Sequence, residues 1–156
     1  MKAVLFGPGF LGTRALFYAD LSLVLILFTA ALFTLGWRLA VRKRFAPHRW
    51  VQTAAAALNT LVVLAVMVPS FISFILPGIP RKLLVGTYGV TALHALIGLL
   101  GLLLGVFVVL RAYGLMPRRL RFRNYKPFMR TSYALYMLST LFGLIVYIAV
   151  YVAGPG

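Results

Sequence analysis

Four long apolar runs, at about residues 15–40, 51–76, 85–113 and 131–152, are separated only by short basic or Pro/Gly-containing stretches. Each run holds 22 residues or more. At about 1.5 Å of rise per residue, a helix of that length crosses a hydrocarbon core of roughly 30 Å. Lipid offers no partner to a free backbone amide, so an apolar run that enters it must close its hydrogen bonds internally, as a helix. The pattern predicts an all-α integral membrane four-helix bundle, with residues 1–156 forming a single membrane domain. Composition agrees: 63% of the residues are hydrophobic, and one acid, Asp20, stands against 16 Lys and Arg. A soluble domain of 156 residues has no interior large enough to hide that much apolar surface.

The formal charge of +15 raises nucleic acid as a partner, and its distribution argues against one. Twelve of the 16 basic residues lie at or between the ends of helices 1 and 2 and of helices 3 and 4, while Lys2, Arg14, Arg81 and Lys82 lie on the opposite side. Clusters at helix ends are what the positive-inside rule produces, with anionic phospholipids as counter-ions. Both basic loops are therefore expected in the cytoplasm, and the N and C termini on the non-cytoplasmic side. Arg42, Lys43, Arg44 and Arg49 in the first loop, and Arg118, Arg119, Arg121 and Arg123 in the second, are the expected contacts to lipid headgroups or a partner surface. The first apolar run resembles a signal-peptide core, but it is too long and lacks a small-residue cleavage site, so it is expected to remain as a helix. Gly7, Pro8, Gly9 and Gly12 argue against helix in the tail before it.

The third run carries a stripe of small and polar residues, Thr87, Thr91, His94, Gly98, Gly101 and Gly105, at steps of 4, 3, 4, 3 and 4. That spacing keeps side chains on one helix face. The rest of the run is Leu, Ile, Val and Ala, which lipid accepts, so the stripe is expected to face protein. His94 lies about 12 Å inside the outer surface. Two readings stand for it. It is a haem or metal ligand, with Gly98 and Gly101 leaving a flat space for a porphyrin, or it hydrogen-bonds across a glycine-lined helix seam. His48, in the first basic turn, is expected at headgroup depth, roughly 18 Å of bilayer away, so the two histidines cannot share one iron. Asp20, near the depth of His94, is expected either to support that histidine or to pair with Arg14, Arg81 or Lys82. Gln52, Asn59 and Thr60 in helix 2, and Tyr136, Thr140, Gly143 and Tyr147 in helix 4, read as interhelical packing and hydrogen-bonding positions. Pro69 is expected to kink helix 2.

Catalytic chemistry has little to work with. Cysteine and glutamate are absent, and two His and one Asp form no nucleophile–base set or carboxylate metal site, so no enzyme, no catalytic residue and no metal are expected. A transporter would have one acid and no mid-membrane charge pair to couple to.

The PHRW turn before helix 2, RKLLVGTYGVTALHAL leading to His94, the basic KPFMR turn and GLIVYIAVY at the end of helix 4 together resemble a bacterial family of four-helix membrane proteins of largely unknown function. One branch of that family is linked to maturation of haem-copper terminal oxidases. The resemblance covers about residues 38–151 and implies a multi-pass protein of the bacterial inner membrane. Four histidines recur in the family, of which this chain keeps two, as His48 and His94; the other positions fall near Ser70 and at Tyr125 or Lys126. A scaffold that keeps half its ligands implies a non-catalytic subunit or assembly factor of a respiratory or other electron-transfer complex, with a larger membrane complex as partner and no cofactor. The alternative is a haem-b protein with His94 as one axial ligand.

Overall fold

The computed structural model of the chain describes residues 7–84, 86–120 and 124–153. Those residues form four long helices: α1 (Phe17–Val41), α2 (Phe45–Gly78), α3 (Gly86–Ala112) and α4 (Lys126–Val152). All four are long and apolar enough to cross a membrane, which makes the chain a candidate multi-pass membrane protein. Among the described residues β pairing is confined to one isolated bridge, Pro8 with Leu16.

α2 and α4 begin earlier than their apolar runs. Phe45 and Lys126 open these helices, with Pro47 and Pro127 in the first turn. Proline fits there because a first-turn N–H has no intrahelical acceptor to lose. The PHRW and KPFMR segments are thus helix starts rather than turns. The real reversal between α1 and α2 is compressed into Arg42–Arg44. The Lys43 amide donates to the Ala40 carbonyl at 3.0 Å and that of Arg44 to Leu39 at 2.9 Å. The same pair of bonds closes α3, from Gly114 to Arg111 and from Leu115 to Leu110. Both reversals need a left-handed residue, and the two differ in what supplies it: Gly114 at φ 72° in one, Lys43 at φ 58° in the other.

α2 is regular to Val62 and then widens. Two π-helical turns, Val63–Met67 and Phe71–Ile75, flank Pro69, and a 3₁₀ turn ends the helix at Leu76–Gly78. Pro69 can neither donate a hydrogen bond nor tolerate a carbonyl four residues back, and wider turns accommodate both demands.

Pairing follows sequence. α3 packs mainly on α4 and α1 mainly on α2, and the two hairpins meet chiefly through α1 and α4. Cross-contacts fix an alternating up-and-down order. Asp20 meets Tyr147 while Thr34 meets Tyr133, and Thr53 near the start of α2 meets Tyr113 just past the end of α3. Both basic reversals therefore share one end of the bundle. Burial is uneven. In the most apolar stretch of each helix, 33% of residues are buried in α1 and 22% in α4, but only 6% in α2 and in α3.

Candidate functional site

Polar groups inside the bundle collect along one face of α4, through Tyr136, Ser139, Gly143 and Tyr147. Between them these positions meet two neighbours, α1 and α3. Tyr136 donates its phenol to the Ile26 carbonyl of α1 at 3.1 Å, with its ring 4.5 Å from that of Phe33. Ser139 and Gly143 receive α3. Tyr147 receives α1 and the segment before it.

The α3 stripe packs against α4 as its small side chains require. A Cβ added at Gly98 would stand 2.9 Å from the Ser139 hydroxyl oxygen, and one at Gly101 3.3 Å from the Leu135 Cβ and 3.4 Å from the Tyr136 amide nitrogen. At Gly105 the neighbour is the Ser132 hydroxyl, 3.2 Å away. Glycine here permits close backbone approach, the usual device where packing rather than water drives helices together. Helix α4, not open space, therefore lies against Gly98 and Gly101, as in the helix-seam reading, and the flat space of the haem reading is filled. The stripe does not extend to its first member. Thr87 is exposed, and the Thr91 hydroxyl bonds the Thr87 carbonyl of its own helix at 2.7 Å. A threonine that returns its proton to the preceding turn needs no neighbouring helix. Thr140 does the same toward Tyr136 and Thr60 toward Ala56.

His94 is half-buried, with its Nδ1 2.9 Å from the Ser139 carbonyl and its ring against Gly143, where an added Cβ would stand 3.0 Å from Cε1. A carbonyl only accepts, so Nδ1 carries the proton and Nε2 keeps its lone pair. His48 makes the matching bond in the other hairpin, from Nδ1 to the Gly36 carbonyl at 2.7 Å. Beside it the Gln52 amide donates to the Phe33 carbonyl at 3.3 Å and packs on Gly36. Each hairpin is thus pinned by one imidazole donating across the seam to a backbone carbonyl.

Asp20 has a different setting from the one expected. It is fully buried. Its Oδ1 accepts from the Tyr147 hydroxyl at 2.5 Å and its Oδ2 from the Leu11 amide at 2.7 Å. Tyr147 also meets the Thr13 hydroxyl at 2.7 Å. A phenol and a backbone amide occupy the place given to a cation, and Lys82, one of the expected partners, holds its ammonium over the Tyr88 ring at 5.3 Å. The residues before α1 make this arrangement. Gly9 donates to the Ala15 carbonyl, Phe17 donates to the Gly7 carbonyl, and the Arg14 amide reaches the Tyr151 carbonyl. The loop folds back over the start of α1 and the end of α4. Gly9 lies directly on the carboxylate, so a Cβ there would collide with Oδ2. Asp20 also occupies the first turn of α1, where the helix dipole favours a negative group. Ala15, Ala19 and Tyr147 form the buried cluster beneath it.

Thr29 and Ser139 are buried polar positions that the periodicity did not single out. Asn59 is buried as expected for an interhelical position. Arg42, Lys43, Arg44, Arg49, Arg118 and Arg119 are exposed at the basic end, whereas Arg121 and Arg123 lie outside the described residues. The Arg49 guanidinium lies over the Tyr113 ring at 4.7 Å and the Trp50 ring at 5.7 Å. The Thr53 hydroxyl, and then Arg49, hold the Tyr113 phenol below its ordinary pKa. No group of three His, Asp or Glu side chains comes together among the described residues. No protein family matches the chain, and no curated protein or solved structure does either.

Proposed function

We propose that this chain is a non-catalytic integral membrane subunit, or assembly factor, of a respiratory or other electron-transfer complex. It works through helix packing and contacts with lipid and neighbouring subunits. One observation carries the reading: His48, His94 and the Asp20–Tyr147 pair each join separate segments of the bundle, while only 6% of the residues in the most apolar stretch of α2 and of α3 are buried within the chain. Such a design supplies a scaffold and a membrane-facing surface. The respiratory assignment draws on the sequence resemblance. The basic end faces the cytoplasm of a bacterial inner membrane, and the segment that caps Asp20 lies on the other side. Purification of the native complex in mild detergent, with identification of co-purifying chains, tests this. A chain isolated alone from its native membrane under conditions that preserve respiratory complexes would refute it.

A second reading, a haem-b protein with His94 as an axial ligand, has one specific observation in its favour. The Ser139 carbonyl holds the proton on Nδ1, which leaves the Nε2 lone pair that a metal requires. The residues around it do not fit a porphyrin against Gly98 and Gly101, because α4 occupies that face. A Soret band in the purified protein that disappears in His94→Ala would favour this reading. A colourless preparation would defeat it.

A further inference from the structure

We infer that the basic end of α1 carries a defined binding site for the phosphate of one anionic phospholipid, built by Trp37, Arg38, Val41 and Arg42. These four exposed side chains line an open surface pocket of about 430 Å³. Arg38 lies in the last turn of α1 and Arg42 caps that helix, and both side chains line the same space. Among the described residues no carboxylate pairs with them. The chain's one acid, Asp20, is buried near the opposite end of α1 with both oxygens already accepting hydrogen bonds.

Two other arginines at this end lie over aromatic rings. Arg49 lies over Trp50 and Tyr113, and Arg111 over Tyr125. Trp37 is instead stacked on Tyr133 of α4, with centroids 6.2 Å apart and planes 18° apart. That stack fixes one wall of the pocket and keeps the indole off the guanidinium groups. Guanidinium forks match phosphate oxygens, while Val41 and the indole offer an apolar wall. A free inorganic anion makes no use of such a wall, but the glycerol and upper acyl carbons of a phospholipid do. A tryptophan at the end of a spanning helix also belongs at headgroup depth. This inference rests on the basic end being a membrane-surface end, and it is independent of which complex the chain joins.

The test uses the full chain in phosphatidylcholine nanodiscs with and without phosphatidylglycerol, followed by native mass spectrometry of retained lipid. Arg38→Gln with Arg42→Gln is compared with Lys126→Gln with Arg130→Gln, which removes the same charge, at the same four-residue spacing, from the exposed start of α4. The expected result is one tightly retained phosphatidylglycerol in the parent and the α4 variant, and affinity on the order of 10-fold or more lower in the α1 pair. Val41→Trp, which fills the pocket without altering charge, is expected to lose the lipid as well, and it carries the test should the double variant fail to fold. Equal losses in the α1 and α4 pairs would overturn the site in favour of diffuse attraction. Retention unchanged in Val41→Trp, or displacement of the lipid by inorganic phosphate alone, would overturn it too.

Discussion

Asp20 and His94 are both ionisable groups set into spanning helices, and both end up against α4, at Tyr147 and Gly143. Those positions are one turn, about 6 Å, apart. Their settings differ sharply. Asp20 is sealed: it has no exposure, both oxygens are engaged, and a loop wraps it from outside. His94 is half-open, with one nitrogen bonded and the other keeping its lone pair. A carboxylate in a membrane is tolerated only when every lone pair that matters meets a donor, so its neighbours are committed to structure. A neutral imidazole is satisfied by a single donated bond, and it retains a valence that chemistry can use. The contrast separates a structural lock from a residue with capacity to spare.

Substitutions can break or sharpen that contrast. The largest effect is expected from Asp20→Ala, which strands the Leu11 amide, leaves the Tyr147 phenol with the Thr13 hydroxyl alone and releases the loop over α1. A loss of about 3 kcal/mol or more is expected in detergent unfolding titrations, with new protease cleavage in residues 7–16. If stability and cleavage do not change, Asp20 is not a lock. Gly143→Leu comes next, because the added side chain must displace the His94 ring. A cost of about 1–3 kcal/mol is expected, read by thermal unfolding. Tyr147→Phe removes a donor from Asp20 and leaves the rest of the cap, so about 1–2 kcal/mol is expected from the same measurement. A result equal to that of Asp20→Ala would mean the Leu11 amide contributes nothing.

His94→Ala is expected to cost only about 1 kcal/mol, the usual scale of one interhelical hydrogen bond in a membrane protein. A cost as large as that of Asp20→Ala would place His94 among the locks and erase the contrast. The smallest effect, of opposite sign, is expected from Lys43→Gly. It relieves a left-handed backbone that Gly114 adopts freely in the matching reversal, for a gain of about 0.5–1 kcal/mol. Double-mutant comparison with Asp20→Ala should be additive, since the two sites lie at opposite ends of α1.

The glycine face of α3 was readable because spacing along one helix is a local property. Gly98, Gly101 and Gly105 meet α4 where the pattern put a neighbour. His94 was readable as a polar residue needing a partner, but not that the partner would be the Ser139 carbonyl. The Asp20 setting was the least readable. Its donors come from Leu11 and Tyr147, and a Gly-rich tail gives no periodic signal. The available hint was the Gly7-Pro8-Gly9 turn signal about ten residues before the chain's lone acid, together with Tyr147 on the inner face of α4.

Order along the chain determined the four spans, the clustering of positive charge at one end and the face on which α3 is small. Lipid acts on each segment separately, selecting for length, apolarity and closed backbone bonds, so these properties can be read one helix at a time. Which donor meets Asp20, which nitrogen of His94 holds its proton, and that Trp37 stacks on Tyr133 beside two arginines were decided only by assembly. Each depends on groups brought together from distant parts of the chain, and only the packed bundle sets the distances between them.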